Sequence, residues 1–152
     1  MKWSDRLITR ARTRAPDFII GGDDRPYLLR WWLIPRNPIF NVYLHLFLRS
    51  DDDRALHDHP WANLSILLQG RYVEHTPEGE RILSAGAWRL RLLGSIRHRV
   101  ELMPGETCWT LFITGPRYRD WGFHCPQGFV HWKDFTAAGD GAKGEIGKGC
   151  EQ

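Results

Sequence analysis

The residues best suited to chemistry are three histidines. His57 and His59 stand two apart in the run His57-Asp58-His59-Pro60-Trp61-Ala62-Asn63, and side chains two apart on a strand leave the same face. His98 lies in the segment 97–103, where His98, Val100 and Leu102 alternate with Arg97, Arg99 and Glu101. The apolar set is the inward one, so His98 is aimed at the interior. A lone inward histidine reads as a hydrogen-bonded core residue, whereas one that accompanies a His-x-His pair reads as a third ligand. Three neutral imidazoles on one side form a facial donor set for a divalent metal ion. Asp58 leaves the opposite face and is not expected to ligate. Imidazole donors suit iron, zinc, nickel and manganese alike.

Other reactive types are scattered. In the stretch 121–132, Pro126-Gln127-Gly128 suggests a hairpin with a three-residue loop. Cys125 and His131 across it are compatible with a zinc fragment or a nucleophile–base pair, but edge-hairpin packing is the preferred reading. His124 is adjacent to Cys125 and faces away from it. His45 alternates with Tyr43 and Phe47 and reads as structural, and His75 as exposed near a turn. Arg49, Arg54, Arg71, Arg117 and Arg119 each read as surface arginines balanced by Asp51, Asp52, Asp53 and Asp120. Arginine forks bind carboxylates in pairs, yet no arginine is singled out by its context.

The elements that must position these residues are mainly strands. Residues 1–14 form the one good helix candidate, with Trp3, Leu7, Ile8 and Ala11 as its apolar stripe and Lys2, Arg6, Arg10 and Arg14 as a solvated basic face. Pro16 ends it. Strands are expected at Tyr27–Ile34, at 40–49 with Val42, Leu44, Leu46 and Leu48 on one side, and at about 62–69, 71–76, 80–84, 87–93, 97–103, 107–114, 120–125 and 129–133. In 87–93, Trp88, Leu90 and Leu92 share one face and Arg89 and Arg91 the other. So many short strands with no intervening crossover helix predict a mainly β fold, a sandwich or barrel. The expected organisation is an N-terminal helical segment (1–16), a β-barrel domain (17–136) and a flexible Gly-rich tail (137–152), with Cys150 incidental within the tail.

Composition narrows the classes. The chain has 152 residues, 42% of them hydrophobic, and a net charge of +3 at pH 7. A balance that small, without a recognition-helix module, argues against a nucleic-acid partner. No apolar run reaches the roughly 18 residues of a membrane span. The three cysteines are odd in number and widely spaced, unlike a disulfide framework, and the first residues lack a signal peptide's apolar block, so a reducing cytoplasm is expected. Phosphate-loop, nucleophile-elbow and H-E-x-x-H motifs are absent, which removes NTP hydrolysis, serine-hydrolase chemistry and zincin proteolysis.

The spacing His57-x-His59-x3-Asn63-x6-Gly70 resembles the first motif of the cupin superfamily, H-x-H-x3-4-E-x6-G. Gly86-x5-Leu92-x-Gly94-x3-His98-x3-Leu102 is similar to the second, G-x5-P-x-G-x2-H-x3-N. Asn63 stands in place of the motif glutamate, Leu92 in place of the proline, and His98 falls one residue late. The resemblance spans about residues 40–115 and implies a single-domain jelly-roll β-barrel holding one metal through His57, His59 and His98, with Asn63 as a fourth or supporting group. It also implies a homodimer, to which the Tyr27–Ile34 strand would offer an edge. Without the glutamate, the ion would keep its full positive charge and favour a small, anionic substrate. Similarity to thiol-dioxygenase-like cupins favours Fe(II), with Zn, Ni or Mn as alternatives, and a dioxygenase-like oxidoreductase. An isomerase, lyase or hydrolase on the same barrel is the first alternative, with His45, Tyr43 or Tyr72 as its acid or base. A non-enzymatic small-molecule-binding cupin is the second.

Overall fold

Alternation along one strand organises the architecture. In the computed structural model, which describes residues 2–51, 55–136 and 147–151, strand β3 (Asn41–Phe47) sends Leu44 and Leu46 to one side and Tyr43, His45 and Phe47 to the other. The first side is covered by helix α1 (Trp3–Arg12), whose Ile8 and Ala11 pack with Trp31, Leu44 and Trp109. Trp31 and Trp109 stack there at 5.3 Å between ring centroids. The second side faces the interior. Trp3, expected in the apolar stripe of the helix, is instead 61% exposed, and Ser4 takes the buried position.

The remaining elements are β1 (Phe18–Ile20), β2 (Leu28–Trp32), β4 (Leu56–His57), β5 (Asn63–Gln69), β6 (Arg71–Thr76), β7 (Gly79–Ser84), β8 (Trp88–Arg91), β9 (Arg99–Glu101), β10 (Cys108–Thr114), β11 (Gly122–Cys125), β12 (Gly128–His131) and α2 (Trp132–Phe135). They form one six-stranded sheet, β1-β2-β3-β10-β5-β8, and two three-stranded sheets, β12-β11-β4 and β7-β6-β9, with every pairing antiparallel. The two smaller sheets meet at a single bridge between His57 and His98. Leu67, Tyr72, Leu83, Val100, Leu102 and Cys108 fill the space between the layers at one end. This is a mainly β fold with a short N-terminal helix, as the strand pattern predicted, and its sheets form the jelly roll that the family resemblance implied. No helix among the described residues is long and apolar enough to cross a membrane.

Several expectations are corrected. β2 is not a free edge, because β1 pairs with Leu28, Leu29 and Arg30. On β8 the expected alternation holds, and its arginine face is the inner one: Arg91 is 4% exposed, whereas Trp88, Leu90 and Leu92 are 62%, 51% and 70% exposed. The hairpin turn is shorter than expected, with Cys125 and Gly128 directly opposed. His75 is only 14% exposed, held between Glu80 (2.9 Å) and Glu101 (2.8 Å).

Cys150 is not incidental. It forms a disulfide with Cys125, and the neighbouring Gly149 N–H donates to the Phe135 carbonyl (3.1 Å). The pairing also removes Cys125 from any zinc or nucleophile role, and with it the argument from unpaired cysteines for a reducing compartment. Most of the expected flexible tail, 137–146, lies outside the described residues.

The disulfide closes a loop spanning 25 positions, for which chain entropy gives about 3 kcal/mol. Cys150→Ser is therefore expected to lower unfolding stability by roughly that amount in urea titrations under oxidising conditions. Equal stability of the two proteins would show that the crosslink does not constrain the unfolded chain.

Candidate metal centre

The site forms at the seam between the two smaller sheets. His57 N–H donates to the His98 carbonyl and His98 N–H to the His57 carbonyl, both at 2.9 Å, so the backbone itself sets these two imidazoles side by side. His59 lies just past the end of β4, and its N–H is held by the Gly94 carbonyl (2.8 Å). Gly94 tolerates no side chain, since a Cβ there would fall 2.3 Å from the His59 carbonyl oxygen. Gly70, the last position of the first motif, turns β5 into β6 with φ +84°, and a Cβ on it would meet the Thr107 carbonyl oxygen at 2.3 Å.

The result is a near-equilateral triangle of rings. Centroids are 4.8 Å apart for His57–His98 and 5.1 Å for both His57–His59 and His59–His98. One ring nitrogen from each lies within 4.8 Å of the other two, and the Nε2 atoms of His59 and His98 approach to 2.8 Å. Burial holds all three below the ordinary histidine pKa. For His59 and His98 the fall is large, reinforced by the neighbouring imidazoles and by Arg91. They are thus neutral at pH 7, the form that carries a lone pair for a metal. Three nitrogen donors at this separation, with no carboxylate among them, fit a divalent transition ion.

A buried ionic network supports the triangle. Glu74, 2% exposed on β6, accepts from Arg89 Nε (2.8 Å) and from Arg91 Nη2. Arg91 Nη2 also reaches His98 Nδ1 (3.1 Å), and Glu74 Oε1 lies 3.4 Å from the same nitrogen. Arg91 Nη1 donates to Asn63 Oδ1 (3.1 Å). The Asn63 amide nitrogen is buried without a partner. Asp51 lies 3.7 Å from His57 Nδ1. Asp58 indeed points the other way, accepting from Gly122 N–H, Arg119 and His124 at 2.9–3.1 Å.

The residues weighed earlier as acids or bases are engaged elsewhere. His45 Nε2 accepts from Arg30 Nε (2.8 Å), and burial with the nearby Arg30 charge depresses its protonation strongly. Tyr43 lies under the Arg30 guanidinium (4.6 Å). The buried Tyr72 hydroxyl is raised well above its usual range, by burial first and then by Glu74. Of the arginines weighed, Arg71 pairs with Glu106 (2.7 Å), Arg117 with Asp120 (2.5 Å) and Arg119 with Asp58 (3.0 Å), while Arg49 bonds the Arg25 carbonyl (3.0 Å). Arg54 lies outside the described residues. The interior arginine Arg30, and the pair Arg89 and Arg91 with their carboxylate Glu74, carry no signal of an interior role in the sequence. The alternation in 87–93 sets Arg89 and Arg91 on one face without saying which face is buried.

No family model matches this sequence, and no curated protein does. Solved structures do match. The polyketide cyclase RemF from Streptomyces resistomycificus aligns at TM-score 0.53 and 18% identity, over 67% of this chain and 72% of that one. A cupin-like protein from Thermotoga maritima aligns at 0.51 and 17%, over 67% and 78%. A cupin-superfamily sugar phosphate isomerase from Silicibacter pomeroyi aligns at 0.51 and 14%, over 68% and 74%. Likeness at such low identity concerns the fold, and the fold is that of the cupin superfamily. The chain thus has a cupin-type fold, and its three-imidazole cluster has the spacing of a group that could hold a metal ion.

Two outcomes follow. Glu74→Gln leaves two inward guanidiniums without their carboxylate and is expected to cost about 3–5 kcal/mol in denaturant unfolding. A loss below about 1 kcal/mol would mean that the network is solvated. For pH, the folded-state pKa values of His45, His57, His59 and His98 are depressed, while the unfolded chain titrates near about 6.5. Their contribution is fully present above that value. It is lost as pH falls toward the folded-state values, by up to about 1.4 kcal/mol per pH unit per histidine. Urea unfolding of metal-free protein at pH 8, 7, 6 and 5 should give stability level at the top and falling below 6.5. A flat profile down to pH 5.5 would contradict burial in the neutral form.

Proposed function

We propose that this chain is a mononuclear metal-dependent oxidoreductase of dioxygenase type acting on a small anionic molecule, with His57, His59 and His98 holding the ion and Fe(II) preferred to Zn, Ni or Mn. The observation that carries the reading is the triangle of three neutral imidazoles in an interior where His45 Nε2 already accepts from Arg30 and burial raises the Tyr72 hydroxyl. Isomerases and hydrolases need a group free to take a proton within reach of substrate; His45 and Tyr72 do not meet that requirement. A divalent ion held here supplies Lewis acidity and, if redox-active, one-electron chemistry toward O2.

The chain's own residues prepare that centre. The proton shared between the two Nε2 atoms of His59 and His98 must leave for both lone pairs to ligate. His98 Nδ1 accepts from Arg91 Nη2 (3.1 Å), which keeps the ring proton on Nε2; for His98 to ligate through Nε2, Arg91 would have to yield Nδ1 to the Glu74 carboxylate 3.4 Å away. A carboxylate behind a ligating histidine fixes the tautomer and raises ligand basicity. Asn63 gives its oxygen to Arg91 and keeps an unpartnered amide N–H2, so its role is to donate toward an anion beside the ion rather than to serve as a fourth ligand. Phe112, whose ring lies 6.0 Å from His59, walls the site and limits water.

Purified protein that has met neither chelator nor added metal should contain about one equivalent of iron per chain by elemental analysis. His57→Ala with His59→Ala should lose that metal while keeping its far-UV spectrum. Oxygen consumption with a screen of small acids then tests the reaction class. Zinc in place of iron, or turnover without oxygen, would overturn the dioxygenase reading. Absence of any metal uptake at neutral pH would overturn the metalloenzyme and leave a binding protein.

A further inference from the structure

Arg30 occupies an unusual place. Its neighbours on β2, Leu29 and Trp31, pack under α1 on the outer face of the large sheet, so the alternation of the strand turns Arg30 into the interior. There it lies in register with His45, which is itself in register with Thr110. An arginine in such a position ordinarily brings a carboxylate with it. Among the described residues none pairs with Arg30. Glu74 is taken by Arg89 and Arg91, and Asp58 by Arg119 and His124. Asp51 accepts from the Val100 N–H (2.8 Å). The one side-chain hydrogen bond of Arg30 is Nε to His45 Nε2, and its guanidinium rests 4.6 Å above the Tyr43 ring. Burial lowers its pKa only to about 10, so it remains a cation at neutral pH.

The surrounding groups are donors as well. Because His45 Nε2 accepts from Arg30, the neutral ring carries its proton on Nδ1. Thr110, 1% exposed, has a buried hydroxyl with no partner. The row Arg30–His45–Thr110 thus carries one uncompensated positive charge, two unused guanidinium nitrogens and no carboxylate. With Nε already spent, the terminal Nη1 and Nη2 form a flat pair of donors, which matches the two oxygens of a carboxylate. One cation balances one monoanion, which favours a carboxylate over a phosphate dianion. Arg30 is only partly buried. Phe112 connects this row to the metal centre, its ring 5.1 Å from His45 and 6.0 Å from His59.

We infer that Arg30 is the carboxylate-binding residue of the interior and that the substrate is a small carboxylic acid, its carboxylate on Arg30 and its reacting end across Phe112 toward the three imidazoles. The inference names the substrate class of the proposed metal site and rests on that reading for the position of the reacting end. The pairing with Arg30 itself needs no metal.

The test is calorimetric titration at fixed ionic strength of acetate, propionate, butyrate and benzoate, each against its primary amide, into protein as purified and after chelation. At least one acid should bind saturably to the chelated protein, about 10- to 100-fold more tightly than its amide. Arg30→Gln should abolish that preference, and Arg30→Lys should retain part of it, with metal content unchanged in both. The acid–amide comparison requires no variant, so a folding defect in Arg30→Gln does not remove the test. Equal binding of acid and amide, or an acid preference that survives Arg30→Gln in folded protein, would overturn the inference. Acid binding through Arg30 in a protein that takes up no metal would sustain this inference and defeat the metalloenzyme reading. Metal uptake without acid preference would do the reverse.

Discussion

Glu74 is the group on which the interior depends. Its carboxylate faces two guanidiniums and stands behind His98, inside a layer where a bare charge would cost several kcal/mol. Each partner has a further duty. Arg91 orients Asn63, and the His98 that Glu74 backs is joined through its main chain to His57. The network therefore fixes the seam between the two small sheets as well as the rings displayed there. Burial first, and then the nearby cations, lower the protonation of the imidazoles, which keeps them as donors, but those cations also oppose a bound positive ion. Glu74 reconciles these demands by placing a negative charge against the one ligand ring that the arginines approach.

The charge balance of the interior follows from how the large sheet divides its faces. α1 takes Leu29, Trp31, Leu44, Leu46 and Trp109, so much of the apolar surface of β2, β3 and β10 is spent on the outside. What remains inside includes Arg30, Tyr43, His45, Phe47, Cys108, Thr110 and Phe112. At the far edge, β8 repeats the pattern, exposing Trp88, Leu90 and Leu92 and burying Arg91. An apolar residue is buried wherever a partner covers it, and on this sheet the larger partner lies on the outer face of β2 and β3. The helix is thus a condition for the polar interior rather than an appendage to it.

This division also explains what the sequence made legible. Strand positions could be read from period-two patterns, and ten of them recur with shifts of a few residues at their ends. The His57, His59 and His98 cluster was readable because a residue pair two apart and an inward imidazole are local signals. β1 and β4 were too short to carry a period. The orientation of Arg89 and Arg91 was not readable, because alternation gives two faces and only tertiary contact says which is buried. The Cys125–Cys150 bond was hidden by the odd cysteine count, since the buried Cys108 is the one left over.

Asn63 shows how a departure from a motif becomes intelligible once its neighbour is known. A carboxylate at this position would face Arg91 across the β5–β8 register and compete with Glu74 for the same guanidinium. Arg91 would then be shared between two acids, and His98 would lose part of its backing. With an amide in place, Arg91 receives a neutral acceptor and stays with Glu74, while the Asn63 N–H2 remains unspent inside the barrel. The negative charge that the motif would place at residue 63 is instead supplied by β6, one layer away and behind the histidine. The site keeps a carboxylate's influence on its ligands without giving up a coordination position to it. An interior arranged in this way retains a positive excess, the condition on which the proposed anionic substrate rests.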